Sequence, residues 1–174
     1  MNNNINENNI INDKAKLLNL LRVLNIKASQ IKPESNNEWL INNFDIRLKI
    51  QKIVYLLKYI TKEFNYDFSL YLRGPYSPEL AKDYFSITDE NIYGNPKQVL
   101  SNNSINIVND LKSKDNIWLE VASTIILMYS YNENWEIAVK MTKEFKDNVL
   151  KENGKNQNYV DQVFLDLKNM KIIQ

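Results

Sequence analysis

Apolar residues recur along most of the chain at spacings of three and four, which is the spacing that places them on one face of an α-helix. The clearest case lies between residues 44 and 64, where one broad apolar stripe predicts a long helix with a face buried in the core. Residues 115–131 are apolar on nearly every side, which predicts a buried central helix. Helices are predicted at 13–32, 44–64, 78–86, 102–112, 115–131, 135–149 and 159–170.

The stretch 67–73 follows a different pattern, because its apolar and polar residues alternate. Phe68, Leu70 and Leu72 fall on one side, which predicts a short strand with one buried face. A weaker apolar signal around Ile92 and Tyr93 suggests a second strand that pairs with it.

The sequence RGPYSPEL, residues 73–80, follows this strand and holds one of the chain's 3 Gly and two of its 4 Pro. Gly74 and Pro75 predict a sharp turn that ends the strand. Ser77 suits the N-cap of a helix, Pro78 its first position, and Glu79 the first turn, where the helix dipole favours an anion. The stretch is therefore predicted to be a rigid corner between a strand and a helix.

These patterns together predict a mostly α fold: a single compact helical domain with a small β element, a short strand or hairpin, leading into a Pro-capped helix. We expect an Asn-rich disordered tail at 1–12 and one helical domain at 13–174. Within that domain the predicted parts are an N-terminal helix at 13–32, ended by Pro33, a core at 44–131 and C-terminal helices at 132–174.

The predicted N-terminal helix carries a seam of apolar residues at alternating spacings of four and three: Leu17, Leu21, Leu24, Ala28 and Ile31. Such a seam is typical of a helix that packs against a partner helix. The partner is either another part of this chain or the same helix of a second copy, which would make a homodimer.

Composition removes most enzyme classes, because the chain has no Cys and no His. Thiolate or histidine catalysis and Cys/His zinc sites are therefore excluded. No glycine-rich phosphate loop occurs, and the acidic pairs Glu79 with Asp83 and Asp89 with Glu90 are as well explained by solvated helix ends. We expect no enzyme activity, no cofactor and no metal. The formal net charge of +1 and the absence of a long apolar run predict a soluble cytoplasmic protein.

The predicted helix at 44–64 has a second apolar face, formed by Leu48, Tyr55 and Tyr59. Five basic residues flank this face: Arg47, Lys49, Lys52, Lys58 and Lys62. One interpretation is a central helix that is covered on both sides. The other is an aromatic surface with a cationic rim, which would bind a protein or stack on nucleotides.

The segments RLKIQKIVYLLKYI, FSLYLRGPYSPELAKDYF and WLEVASTIILM resemble the YwgA-like group and the related Panacea domain of phage-associated proteins. Gln51, Lys52, Tyr55 and Leu56 match the family's helix, and the segment 74–77 matches its corner. The resemblance covers about residues 44–130 and implies a mostly helical domain. For Panacea relatives it also implies antitoxins that neutralise a partner toxin through protein contact.

The functional prediction is a non-catalytic protein-interaction or regulatory module, antitoxin-like if the resemblance holds. Aromatic residues and Arg are common interface anchors, and the predicted partner-binding residues are Tyr71, Arg73, Tyr76, Glu79, Tyr55 and Tyr59. The alternative is a nucleic-acid-binding regulator of winged-helix type that uses the five basic residues around the Tyr55 face. Helix 78–86 is a poor recognition helix for that alternative, because Glu79 and Asp83 place negative charge near its start, where phosphates would be contacted.

Overall fold

The computed structural model describes the backbone of residues 4–32 and 43–174, and the side chains from residue 13 onward within those ranges. The predicted end of the first helix at Pro33 lies outside the described residues. The described part contains eight α-helices, a 3-10 helix at Ala28–Gln30 and a two-stranded sheet. The α-helices are α1 (Asn4–Leu24), α2 (Phe44–Thr61), α3 (Pro78–Ser86), α4 (Asp89–Tyr93), α5 (Asn102–Leu111), α6 (Asn116–Asn132), α7 (Trp135–Glu152) and α8 (Asn158–Asn169), and the strands are β1 (Ser69–Tyr71) and β2 (Gly74–Tyr76).

The predicted mostly helical fold with a small β element leading into a Pro-capped helix is confirmed. Five helices begin at a residue whose side chain accepts a hydrogen bond from a backbone N–H of the first turn, which satisfies a donor that the helix itself cannot. These residues are Ser77, Thr88, Ser101, Asp115 and Asn134. At α3 the cap is the one predicted, with Pro78 in the first helical position.

The helices end in a less usual way, because the chain has few glycines to place there. Glycine is the common residue where the backbone must turn left-handed after a helix. Here α1, α2 and α6 are each followed by a non-glycine residue with positive φ: Asn25 at 55°, Lys62 at 58° and Glu133 at 51°.

Contacts within the described residues divide the chain into two compact units. The first comprises residues 1–68 and 77–114 and contains α1 to α5. In it α1 packs against α4 and α5, and α2 packs against α3 and α5. Helix α2 is buried on both of its apolar faces, since Leu48 and Tyr55 are 6% and 8% exposed, and Ile50 and Ile53 on the opposite side are 0% exposed. The prediction of one domain over 13–174 stays a prediction.

The second unit comprises residues 69–76 and 115–174. Its centre is α6, which packs against α7, α8 and strand β2. Residues Trp118–Met128 are buried without interruption, as the apolar run of this segment predicts. The strands are antiparallel, with Ser69 opposite Tyr76 and Tyr71 opposite Gly74, so that Leu72 and Arg73 form a tight turn.

The structure corrects two predictions about the sheet. The second strand does not lie near Ile92 and Tyr93, which belong to α4; it is β2, inside the predicted corner itself. The predicted buried face of the first strand is also wrong, because Leu70 and Leu72 are exposed. The reason is that α6 packs against β2 and buries Gly74 and Pro75, while all three residues of β1 stay exposed.

The N-terminal helix also differs from its prediction. It begins at Asn4 and ends at Leu24, where Asn25 turns left-handed, rather than running from 13 to 32. Leu17, Leu21, Ala28 and Ile31 of the predicted seam are buried within the chain. These four residues therefore pack inside the chain, Leu24 is half-buried, and the homodimer stays a prediction. The predicted tail includes residues 1–3, which lie outside the described part.

No helix in the described ranges combines the length and the apolar character that crossing a bilayer requires.

Candidate partner-binding surfaces

Three exposed apolar residues of the second unit lie together at the hairpin tip, by which we mean Leu70, Tyr71 and Leu72. Their exposed fractions are 37%, 60% and 76%. Tyr71 is supported by Tyr76 on the facing strand, whose ring centroid lies 5.7 Å away. Three consecutive apolar residues, two at the end of β1 and one in the turn, form a compact, accessible contact surface.

The base of the hairpin is fixed by a close backbone approach to α6. Gly74 has a φ of +94°, a conformation that side-chain-bearing residues rarely adopt. A Cβ at this position would lie 2.4 Å from the Thr124 hydroxyl oxygen. That hydroxyl donates a 2.6 Å hydrogen bond to the Glu120 carbonyl one turn earlier in α6. Only glycine therefore allows β2 to approach α6 this closely.

A buried charge cluster lies beside this contact and consists of Arg73, Glu120 and Lys146. The Lys146 ammonium donates to one Glu120 carboxylate oxygen at 2.9 Å, and the Arg73 guanidinium lies 3.3 Å from the other. The Lys146 side chain is 0% exposed and that of Glu120 2%, whereas that of Arg73 is 38% exposed. Burial lowers the pKa of Lys146 below its ordinary 10.5, although the adjacent Glu120 carboxylate acts in the opposite direction. The cluster ties the turn residue Arg73 to both α6 and α7.

The corner that follows the hairpin is held, within the first unit, by a side chain from α2. The Gln51 amide accepts a 2.9 Å hydrogen bond from the Ser77 N–H and donates a 2.9 Å hydrogen bond to the Ser77 carbonyl. Both residues are buried. Gln51 thereby satisfies both backbone groups of the N-cap residue of α3, which explains physically why a glutamine occurs at this position of α2.

The Tyr55 face forms a cleft rather than an open aromatic surface. Tyr55 itself is buried and packs edge-on against Phe68 at 5.1 Å, and Tyr59 is half-buried beneath the Lys62 ammonium, which lies 4.9 Å from its ring centre. The α2 cleft has a volume of about 330 Å³ and is lined by Tyr55, Lys58, Tyr59, Lys62, Phe64 and Asn65. The prediction that Tyr55 presents a binding surface is corrected accordingly.

The predicted cationic rim is largely absent. Arg47 and Lys52 are buried, and Arg47 donates a 3.0 Å hydrogen bond to the Ile31 carbonyl. Lys49 donates to the Lys112 carbonyl at 2.7 Å, and partial burial lowers its pKa. Lys58 donates to the Tyr66 carbonyl at 2.6 Å. Among the five, Lys62 is the one that is exposed, so these residues do not form the basic surface that the nucleic-acid alternative requires.

The predicted acidic pairs serve structural roles where the contacts are described. Asp83 accepts a 2.7 Å hydrogen bond from the Tyr66 hydroxyl, and Asp89 accepts a 2.7 Å hydrogen bond from the Ala28 N–H. Burial and the adjacent Asp83 carboxylate together raise the pKa of Tyr66 far above its ordinary value. In the described part of the chain, no group of three or more His, Cys, Asp or Glu side chains could hold a metal ion.

The structure thus brings together three of the predicted partner-binding residues, Tyr71, Arg73 and Tyr76, on one hairpin. Tyr55 and Tyr59 line the α2 cleft, and Glu79 is exposed in the first turn of α3. Sequence reasoning missed Leu72, because alternation placed it on a face assumed to be buried. It also missed Lys146, although a signal existed: Ala138, Thr142, Lys146 and Leu150 follow one another at spacings of four along the buried face of α7.

No protein-family model matches the chain, and comparisons with curated proteins and with solved structures also give no match.

Proposed function

We propose that the chain is a non-catalytic protein-interaction module and that the hairpin tip is its principal contact surface. The observation that carries the proposal is the exposure of Leu70, Tyr71 and Leu72 on a turn whose base is fixed. Interface energy is concentrated in a few apolar and aromatic anchors that insert into pockets of a partner. A turn that is ordered before binding loses little conformational entropy when the complex forms.

The chemistry of the hairpin tip favours a folded protein with an apolar recess over nucleic acid. Arg73 is the charged residue of the turn, and its guanidinium is engaged by the Glu120 carboxylate, which it shares with Lys146. A phosphate backbone needs several accessible cations to displace its counterions. An apolar recess instead gains from burying the two leucines and the tyrosine, at about 25 cal/mol per Å² of apolar surface.

The resemblance to Panacea-domain proteins gives this proposal a more specific form, in which the partner is a toxin that the chain neutralises by covering it. A regulatory role in the cytoplasm would use the same surface. The absence of Cys, His and a phosphate loop from the sequence is consistent with a non-catalytic role.

The test compares substitutions at the hairpin tip with matched substitutions elsewhere in the second unit. Leu72→Ser and Tyr71→Ser change the tip, while Leu165→Ser and Tyr131→Ser change residues that are each 56% exposed. The tagged chain is purified from its native cells with and without nuclease treatment, and the proteins and nucleic acids that co-purify are identified and quantified. The complex with the most abundant one is then reconstituted from purified proteins.

We expect each tip substitution to weaken the reconstituted complex by about tenfold or more, and each control substitution by less than about threefold. All four variants should keep their melting temperature within about 2 °C, because exposed side chains contribute little to folding. Equal binding by all four variants would show that the tip is not the contact surface. Recovery of nucleic acid that is lost on nuclease treatment, with no protein, would favour the regulator alternative. Self-association that depends on Leu72 would identify a second copy as the partner.

A further inference from the structure

The α2 cleft has the composition of a ligand site that the proposed interaction does not use. Three of its six lining residues are aromatic, namely Tyr55, Tyr59 and Phe64, and the Phe64 ring stacks on Tyr66 at 6.0 Å. Its remaining lining residues are Lys58, Lys62 and Asn65, so no carboxylate lines it. A volume of about 330 Å³ lies within the range of small-molecule sites, at its lower end.

The charges around the cleft limit the ligand to one negative group. The Lys58 ammonium lies 3.8 Å from the Asp67 carboxylate, which offsets its charge. The carbonyl end of α2 adds about half a negative charge. The adjacent Asp13 carboxylate accepts hydrogen bonds from Asn65 and is paired with Lys16 at 3.6 Å. Lys62 is therefore the exposed cation of the lining, and its ammonium lies over the Tyr59 ring at 4.9 Å. A ligand with several charges would find no second uncompensated cation among the lining residues.

The aromatic lining determines the rest of the ligand. Flat rings pack favourably against tyrosine and phenylalanine, in stacked or edge-on contact. Lys58 donates one hydrogen bond to the Tyr66 carbonyl, and an ammonium has three donors, so it has capacity to donate to a ligand carboxylate as well. We infer that the α2 cleft binds a small planar aromatic carboxylate, with the ring against Tyr59 and the carboxylate at Lys62.

The test uses 4-hydroxybenzoate as the probe and follows backbone amide signals of the full chain by two-dimensional NMR. Three comparison ligands separate the contributions of the ring and the charge. Acetate has the carboxylate without the ring, phenol has the ring without the carboxylate, and adenosine monophosphate has a ring system with a doubly charged group. Lys62→Glu reverses the charge in the cleft, and Lys62→Asn removes it with a residue that tolerates the left-handed backbone. Lys82→Glu is the matched control, because Lys82 is exposed on α3 away from the residues that line the cleft.

We expect 4-hydroxybenzoate to shift the amide signals of residues 58–65 with a dissociation constant of about 1 mM or lower. Lys62→Glu and Lys62→Asn should each weaken binding by about tenfold or more, and Lys82→Glu by less than about twofold. Acetate and phenol should each bind at least about tenfold more weakly than the probe. No shift in these signals up to about 10 mM probe, or binding that is equal in the Lys62 variants, would overturn the inference. Tighter binding of adenosine monophosphate would replace the carboxylate by a nucleotide and overturn the assigned ligand class. Because neither Lys62 variant changes the hairpin tip, these outcomes are independent of the partner-binding test.

Discussion

Replacing Glu120 by glutamine should strongly destabilise the chain, because it leaves Lys146 as a fully buried charge without its carboxylate. At 2.9 Å and an effective dielectric constant of about 20, the attraction between these two charges is about 6 kcal/mol. Part of this lost attraction is offset, since the variant no longer has to bury a carboxylate. Breaking one partner of a buried ion pair is known to cost about 3–5 kcal/mol.

Deprotonation of Lys146 sets an independent upper limit on the free energy of unfolding that Glu120→Gln can lose. Instead of remaining charged, Lys146 can release its proton when the variant folds. From an ordinary pKa of 10.5, that release costs about 4.8 kcal/mol at about pH 7, at 1.36 kcal/mol per pH unit. Both estimates therefore give a loss of about 3–5 kcal/mol, which corresponds to a fall in melting temperature of about 10 °C.

The pH dependence identifies the cause of the loss. In the variant, the folded chain holds a neutral Lys146 while the unfolded chain binds a proton there, so stability rises with pH up to about 10.5. In the wild type, the Glu120 carboxylate keeps Lys146 charged until the pH reaches its lowered pKa, so stability changes little before that point. The difference between the two proteins should therefore shrink as the pH rises towards the lowered pKa of Lys146 in the wild type, by up to 1.36 kcal/mol per unit.

Thermal and urea unfolding followed by circular dichroism measure both quantities. The double variant Glu120→Gln with Lys146→Met should recover most of the lost stability, because no unpaired charge stays buried. Asp147→Asn breaks an exposed ion pair with Lys151, of 2.6 Å, and should leave the melting temperature nearly unchanged. The reasoning is refuted if the double variant is as unstable as Glu120→Gln, or if the deficit of Glu120→Gln does not change with pH.

Two further substitutions test the contacts that position the hairpin and the corner. Gly74→Ala should lower stability by about 2–4 kcal/mol, because it adds backbone strain and a clash with the Thr124 hydroxyl. The control is Gly154→Ala, where φ is +65° but no atom lies within 4 Å of the added Cβ, and it should lose only about 1 kcal/mol. Equal losses for the two variants in urea titrations would argue against the clash. Gln51→Leu should lose about 2–3 kcal/mol, because the Ser77 N–H becomes buried without a partner and the Ser77 carbonyl keeps only its hydrogen bond from the Ala81 N–H. An unchanged urea midpoint would show that water or another group replaces the amide.

Local chemistry explains which parts of the fold could be predicted from sequence. Helices α5 to α8 lie close to their predicted ranges, because α5, α7 and α8 each have a regular apolar face and α6 is apolar on nearly every side. The starts of α5, α6 and α7 are also set by a capping side chain next to the helix. The start of α3 was predicted to the residue, since Ser77 and Pro78 determine it through contacts within one turn. These effects depend only on residues that are close together in the sequence.

The errors concern features that depend on distant residues. Alternation at 67–73 indicates which side chains share a face, but whether α6 covers that face depends on a segment far along the chain. The pairing of Glu120 with Lys146 also joins two different helices. The lysine's position on the buried stripe of α7 could have indicated a buried ammonium, although its partner could not have been deduced from local sequence.

The non-glycine residues that end α1, α2 and α6 have a consequence for engineering this protein. A left-handed conformation costs a residue such as glutamate about 1–2 kcal/mol, so Glu133→Gly is a substitution that could raise thermal tolerance without altering the hairpin tip. Asn25 already tolerates this conformation, so glycine would gain less there. Lys62 is different, because the same strained backbone carries the ammonium that lies over Tyr59. Glycine at position 62 would stabilise the end of α2 but remove the ammonium that the proposed ligand requires. Stability and the proposed ligand binding therefore make opposite demands on this one position.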